Sequence, residues 1–540
     1  MSIPARVSVD STFSASTSHS HHKHGHHHHH KHSNFNTAMA TLAIKTLLPA
    51  VPSMFYKSAT HMLSLSPTAH YWDLKTTVIL EVIRAFVRTP PPGEHTVERV
   101  QRTTLKPQKV DDETVKVDVE FGVGGEEEAT GIEDAVVAIV REMQKEEVEV
   151  QRVGVKRLTG EWVGRREKKG DGSMELGSEE RFKVIEKGAE DGRTVLYFHG
   201  GAFYLLDPHT HRGIASQIAA TSNSKVFLVR YRLSPQTAFP GALIDALISY
   251  LALLYPPPGS LHAPIPASKI IFSGDSAGGN LSLSLLQLLY GLSRSPQPIT
   301  FHNHTLTTIP LPAGIATLSA WTDVPRSFGV LGSRPQGSED ACLTTDYLPS
   351  PQATAATVFH PSPAWNADVR KTSNRTTFYC ADHFCANPLV SPVLAEHWSA
   401  ADGSKVPIYL AVGDECLRDA NLWLSWRLGE MGVKHRLEWY EKMPHVFQMV
   451  LGHIPATKES LCAIGRFARE VTGGEKAEEG WWRREKIHPR TLERRGVGEK
   501  EVRQGLGIGE VRGMMVRAVV EYRKIAERAV RDGEGRSAKI

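Results

Sequence analysis

Between Arg193 and Glu441, short runs of apolar and β-branched residues alternate with stretches of helical length, and this order constrains the fold more than any other feature. RTVLYFHGG, SKVFLVRYRL, KIIFSGD, LPAGIATLSAW, PIYLAVGDE and HRLEWYE read as strands, HRLEWYE as the last. FPGALIDALISYLALLY, stopped by Pro256, Pro257 and Pro258, and SAGGNLSLSLLQLLYG read as helices, and a further helix follows near KESLCAIGRFAREV. Strands that are apolar throughout are buried on both faces, and strands that alternate with helices pair in parallel. The expected class is therefore α/β, with a parallel-rich sheet and helices on both of its faces.

The remainder divides by composition. Residues 1–35 are of low complexity and include HSHHKHGHHHHHKH at 19–32. That tract would gather zinc, copper or nickel loosely, but the plainer reading is a disordered tail with no part in the chemistry. Residues 36–180 are expected to form a cap and the first strands. SPTAHYWDLKTTVILEVIRAFVRTP reads as a Ser-Pro turn and an amphipathic helix that ends at Pro90. EVEVQRVGVKRL alternates as a half-buried strand does, and ERFKVIEK reads as another strand. A main domain then covers 181–472, interrupted at 322–400 by a Pro-, Ser- and Thr-rich insertion over the sheet edge or the site. A charged extension, 473–540, reads as helical and solvated.

A formal charge of +4 on 540 residues, without a dominant basic block, argues against nucleic acid as a partner. Five cysteines, few and odd in number, suggest a reducing compartment, with Cys380 and Cys385 as free thiols. The N-terminus lacks the apolar core of a secretory signal. NTAMATLAIKTLLPAVPSMFY, broken by Lys45, Pro49 and Pro52, falls short of a membrane span and reads as an amphipathic or cap helix. An intracellular location is expected, cytoplasmic or peripheral to a membrane.

G-D-S-A-G at 274–278 has the form of a nucleophile elbow, with an apolar strand running in and an apolar helix running out. Small neighbours permit the sharp turn that lifts the hydroxyl of Ser276 clear. The helix behind it presents unpaired N–H groups at the same point. FHGGAFYLL ends an earlier strand, and its Gly200, Gly201 and Ala202, with Ala277 after the serine, are candidate amide donors to an oxyanion. A base must follow, and KMPHVFQMV supplies His445 just beyond a strand. His302, His304, His360, His383 and His397 also follow Ser276, but none sits past a terminal strand with a helix still to come. The orienting acid is sought in YLAVGDECLRDAN, which ends a strand with three candidates, Asp414, Glu415 and Asp419, and on a tight loop Asp414 and Glu415 cannot both face His445.

HGGA, then YRLSPQTAFPGALID, then GDSAGG resembles the hormone-sensitive-lipase-like branch of the α/β-hydrolases over roughly residues 190–470. There the pattern reads HGGG, Y-R-L-A-P-E with F-P and a downstream D, then G-D-S-A-G-G. Ala202 stands where the family has its third glycine. Fungal-looking relatives often carry G-x-E-x-L-x-D, which Gly413, Glu415, Leu417 and Asp419 match. The resemblance implies an α/β-hydrolase fold with a helical cap. It also implies a Ser276–Glu415–His445 triad that cleaves carboxylic esters through an acyl-enzyme, without metal or organic cofactor. Short-chain acyl or lipid- and sterol-type esters both fit, and Asp419 is expected to support the loop by capping the next helix. An amidase or formamidase using the same triad stays open, as does a non-catalytic binding protein, although such proteins typically lose the base.

Overall fold

The computed structural model describes residues 47–88, 97–106, 110–111, 113–144, 146–166, 176–329, 344–351, 375–474, 476 and 482–537; the histidine tract lies outside them. Helices α1 (Val51–Met62), α2 (Leu74–Arg88) and α3 (Val97–Thr104) precede strand β1 (Thr114–Phe121). Helix α4 (Glu126–Met143), strand β2 (Leu158–Arg165) and helix α5 (Ser178–Lys187) lead to β3 (Thr194–Phe198). Next come α6 (Pro208–Ser222), β4 (Lys225–Arg230), α7 (Gly241–Leu254), β5 (Ile270–Asp275) and α8 (Ala277–Arg294). A separate hairpin, β6 (Ile299–Phe301) and β7 (His304–Leu306), is followed by β8 (Gly314–Leu318) and β9 (Ile408–Gly413). Helix α9 (Arg418–Glu430), strand β10 (His435–Tyr440) and helices α10 (Phe447–Val450) and α11 (Pro455–Val471) come next. The chain continues through β11 (Arg484–Ile487), β12 (Arg494–Gly496), α12 (Glu499–Arg503) and α13 (Ile508–Ser537).

Ten strands form one sheet in the order β1-β2-β4-β3-β5-β8-β9-β10-β11-β12. From β4 to β11 every neighbour is parallel, while β1, β2 and β12 are joined by antiparallel pairing. Strand alternation separates two cores, because successive side chains point to opposite faces. Leu196, Phe198, Phe227, Val229, Phe272 and Leu410 pack on one side with α4, α7, α8 and α9. Val195, Tyr197, Val226, Leu228, Ile271 and Tyr409 pack on the other with α6 and α11. Helices thus cover both faces, and the parallel strands bring their C-terminal ends to one edge, where ligand sites of open α/β sheets lie.

Four expectations fail for identifiable reasons. ERFKVIEK belongs to helix α5, where Phe182 and Ile185 are its buried residues; their spacing of three suits a helix, not a strand. EVEVQRVGVKRL is almost wholly irregular, and the strand begins only at Leu158. HRLEWYE is not the last strand, and the C-terminal extension is not a solvated helix: β11 pairs in parallel with β10, and Val511, Met514 and Met515 of α13 are buried in the larger core. The charges of β11 disguise it. Glu485 faces inward, bonded to the buried Arg436 (2.7 Å) and to Arg494 (2.8 Å), and Arg436 also pairs with the buried Glu438 (2.7 Å).

Candidate active site

The β5–α8 turn is shaped by its glycines. A Cβ on Gly278 would lie 1.8 Å from the carbonyl oxygen of Phe198, and one on Gly274 would lie 2.4 Å from the carbonyl carbon of Gly278. Ser276 adopts φ 52°, a left-handed backbone that non-glycine residues rarely take and that here ends the strand and starts the helix. Of residues 270–280 it alone is not buried. Gly278→Ala is expected to destabilise the fold by about 1–3 kcal/mol, as overpacking against backbone does, read as a lowered urea midpoint; an unchanged midpoint would contradict this crowding.

Asp275 ties the elbow to the loop after β3. Its Oδ1 accepts from Tyr197 Oη (2.9 Å) and from the Gly200 amide (3.0 Å), with His211 Nε2 at 3.2 Å. The expectation of Gly200 as an oxyanion donor is therefore corrected, since its N–H is already given to a carboxylate. Gly201 (φ 108°) and Ala202 (φ 53°) are half-buried. Among the described residues, their amides and that of Ala277 have no protein acceptor. Ala202 takes the left-handed backbone in spite of its Cβ. A Cβ on Gly201 would meet the Leu205 carbonyl oxygen at 2.2 Å, so no larger residue fits there. The rest of the shared pattern is scaffold. Tyr231 stacks on His199 (4.3 Å) and donates to its carbonyl (2.7 Å), and Arg232 holds the buried Asp245 (2.7 Å). His199, buried, has its pKa pushed down to about 4 by burial and then by the neighbouring His211.

The turn after β10 carries His445, which is buried, and its Nδ1 contacts Glu415 Oε2. A carboxylate there fixes Nδ1 as the protonated nitrogen and leaves the Nε2 lone pair able to accept a proton. Burial lowers the pKa of His445, but the Glu415 charge and hydrogen bond, then Asp346 and Asp275, outweigh it and leave the value raised. Asp414 points elsewhere. It accepts from Arg418 Nη1 (2.9 Å), Trp439 Nε1 (2.8 Å) and the Lys442 amide (2.9 Å), and its pKa is lowered: burial opposes the shift, but Arg418 and these bonds prevail. Asp419 is the second residue of α9 and pairs with Arg418 (2.8 Å). The turns bearing Ser276 and His445 are stitched together through β8: the Ser276 amide donates to Leu318 O (2.9 Å), and the next residue, Ser319, accepts the Val446 amide on Oγ (3.0 Å).

Asp346 has no counterpart among the residues singled out from sequence. It is fully buried, with Oδ1 accepting the His445 amide (3.2 Å) and Oδ2 the Cys416 amide (2.8 Å). One carboxylate thus spans the two loops that carry His445 and Glu415. Its own carbonyl accepts from Arg84 Nε of α2 (2.9 Å). Asp346→Ala is expected to lower turnover by about 10²-fold, the scale of a small misplacement of reacting groups, with KM little changed. Steady-state kinetics showing near wild-type kcat would remove this role. Among the described residues no group of His, Cys, Asp and Glu is placed to hold a metal ion. Cys380 and Cys385 are free thiols with sulfurs 3.8 Å apart.

A mostly parallel sheet with helices on both faces and a serine elbow at its C-terminal edge is the α/β-hydrolase fold. A family model described as the alpha/beta hydrolase fold matches residues 195–449. An acetyl-hydrolase of Streptomyces hygroscopicus is 27% identical over 290 residues, covering 54% of this chain and 79% of that protein. An esterase of Acinetobacter venetianus is 27% identical over 292 residues, 54% of this chain and 79% of that one. A crystal structure of EstE5 soaked with p-nitrophenyl butyrate overlays with a TM-score of 0.48 at 21% identity, covering 74% of this chain and all of that one.

Proposed function

We propose that this chain is a serine hydrolase of carboxylic esters, with Ser276 as nucleophile, His445 as general base and Glu415 as the residue that orients the imidazole. The contact between His445 Nδ1 and Glu415, on a turn stitched to the strand end beside Ser276, carries this reading. A hydroxyl is a weak nucleophile at neutral pH and needs an adjacent base held in one tautomer. His445 takes the hydroxyl proton as Ser276 attacks the acyl carbonyl. The amides of Gly201, Ala202 and Ala277 receive the developing oxyanion, each donor being worth about 10²–10³ in rate. The alcohol leaves with the proton from His445, and water activated by the same ring releases the acid. This chemistry calls for no metal or organic cofactor.

Helices α1 to α3 serve as a cap. Trp72 Nε1 donates to Lys442 O (2.8 Å), Arg84 reaches Asp346, and Gln101 Nε2 donates to the carbonyls of Tyr204 (2.9 Å) and Ser234 (2.8 Å). The N-terminal region thus holds the turn before His445, the Asp346 loop and the loop after β3. The relative named esterase supports esters over amides as the substrate class. The test is turnover of p-nitrophenyl acetate, butyrate and longer esters by purified protein. Hydrolysis that the Ser276→Ala variant lacks is expected, and the chain-length preference separates short-acyl from lipid-type substrates. No turnover of any ester would end the reading.

A further inference from the structure

The molecule concentrates its exposed apolar surface in one place. Of the fifteen large apolar side chains exposed among the described residues, eleven lie between Leu48 and Val87. On α1 they fall on one stripe. Val51, Phe55 and Met62 share a line, with Tyr56 and Leu63 beside it, and Phe55 is 76% exposed. Leu48 and Leu65 extend the patch at both ends. The opposite face is the docked one: His61 Nδ1 lies 3.1 Å from Thr77 Oγ1 of α2, and Lys57 pairs with Glu81 (2.9 Å). A helix that packs through its polar side and turns aromatic and aliphatic residues to solvent reverses the usual arrangement, and such a patch marks an interaction surface.

Charge indicates what covers it. From Ser11 to Trp72 the sequence contains no Asp or Glu, while besides Lys57, which pairs with Glu81, it holds Lys23, Lys31, Lys45 and twelve histidines. An apolar face continuous with an acid-free, lysine-bearing segment matches an anionic lipid interface, which rewards both apolar burial and cationic charge. With 12 residues, α1 is too short to span a bilayer and suits lying in its surface. Among the described residues no helix is long and apolar enough to cross a membrane.

We propose that α1 and its flanks, from Leu48 to Leu65, form a docking surface for an anionic lipid membrane. The surface is coupled to the site through Trp72 and Arg84, so docking holds the cap and the His445 turn at the lipid interface. The inference stands apart from the triad, because binding is measured without turnover. In flotation assays the full-length protein is expected to rise with phosphatidylcholine vesicles that contain phosphatidylserine, and less so at high salt. The triple variant Phe55→Ser, Tyr56→Ser, Met62→Ser is expected to lose at least about tenfold in partitioning, as removal of three apolar contacts with the interface requires. Its circular dichroism and its hydrolysis of soluble p-nitrophenyl acetate are expected to match wild type. Absence of flotation, equal partitioning onto neutral vesicles, or undiminished binding by the variant would overturn the proposal. So would a wild-type dimer that the same substitutions dissolve and that leaves no vesicle binding, since a second copy would then be the occupant.

Discussion

Ser276→Ala is expected to lower kcat for p-nitrophenyl butyrate by about 10⁶-fold, the scale seen when a triad nucleophile is removed. Fold should survive, because the elbow is dictated by Gly274 and Gly278 and because alanine, like serine, carries a single Cβ into the φ 52° backbone. Trace turnover would persist where the amides of Gly201, Ala202 and Ala277 still polarise a bound carbonyl. Wild-type-like turnover by this variant would require a different nucleophile.

Glu415→Gln carries the second large expectation, a fall in kcat of about 10⁴-fold, as when a triad carboxylate becomes an amide and the imidazole loses its tautomer. The pH profile supplies an independent readout. In the wild type the Glu415 charge and hydrogen bond, with Asp346 and Asp275, leave the pKa of His445 raised despite burial. The base is active only when neutral, so kcat/KM should fall towards acid with a midpoint above the ordinary imidazole value of about 6.5. Without the Glu415 charge, the lowering by burial meets less opposition, and the acid limb should move to lower pH. Asp414→Asn is the control: it weakens the contact with Arg418 but leaves the His445 ring partner, and so should leave the acid limb nearly in place. A limb that shifted with Asp414 instead would reverse the assignment.

Much of this arrangement is legible in the chain because its signals are local. The elbow glycines, the apolar strand before Ser276 and the apolar helix behind it lie within a few residues of one another, and His445 sits directly after a readable strand. The choice between Glu415 and Asp414 is not local. Adjacent carboxylates in one turn look alike in sequence, and only Trp439, Lys442 and Arg418 reveal that Asp414 is engaged elsewhere. The state of the Gly200 amide is likewise not local: it is occupied by Asp275, 75 residues away. Asp346 lies in a Pro- and Ser-rich insertion without periodicity, and its importance rests on amides 70 and 99 residues distant. Strand β11 is illegible in the hydropathy pattern, which expects charges to face water, whereas Glu485 turns inward to Arg436 and Arg494.

That last strand bears on the reacting centre. β10 delivers the chain to His445, and β11 occupies its outer flank. Stripped of residues 482–497, β10 would present bare amides and carbonyls to solvent, a template for pairing with other chains. Arg436 and Glu438 would lose two of their counter-charges at the same time. The carboxyl-terminal segment therefore acts as a seam sealing the margin nearest the imidazole, and trimming it should cost solubility and turnover together.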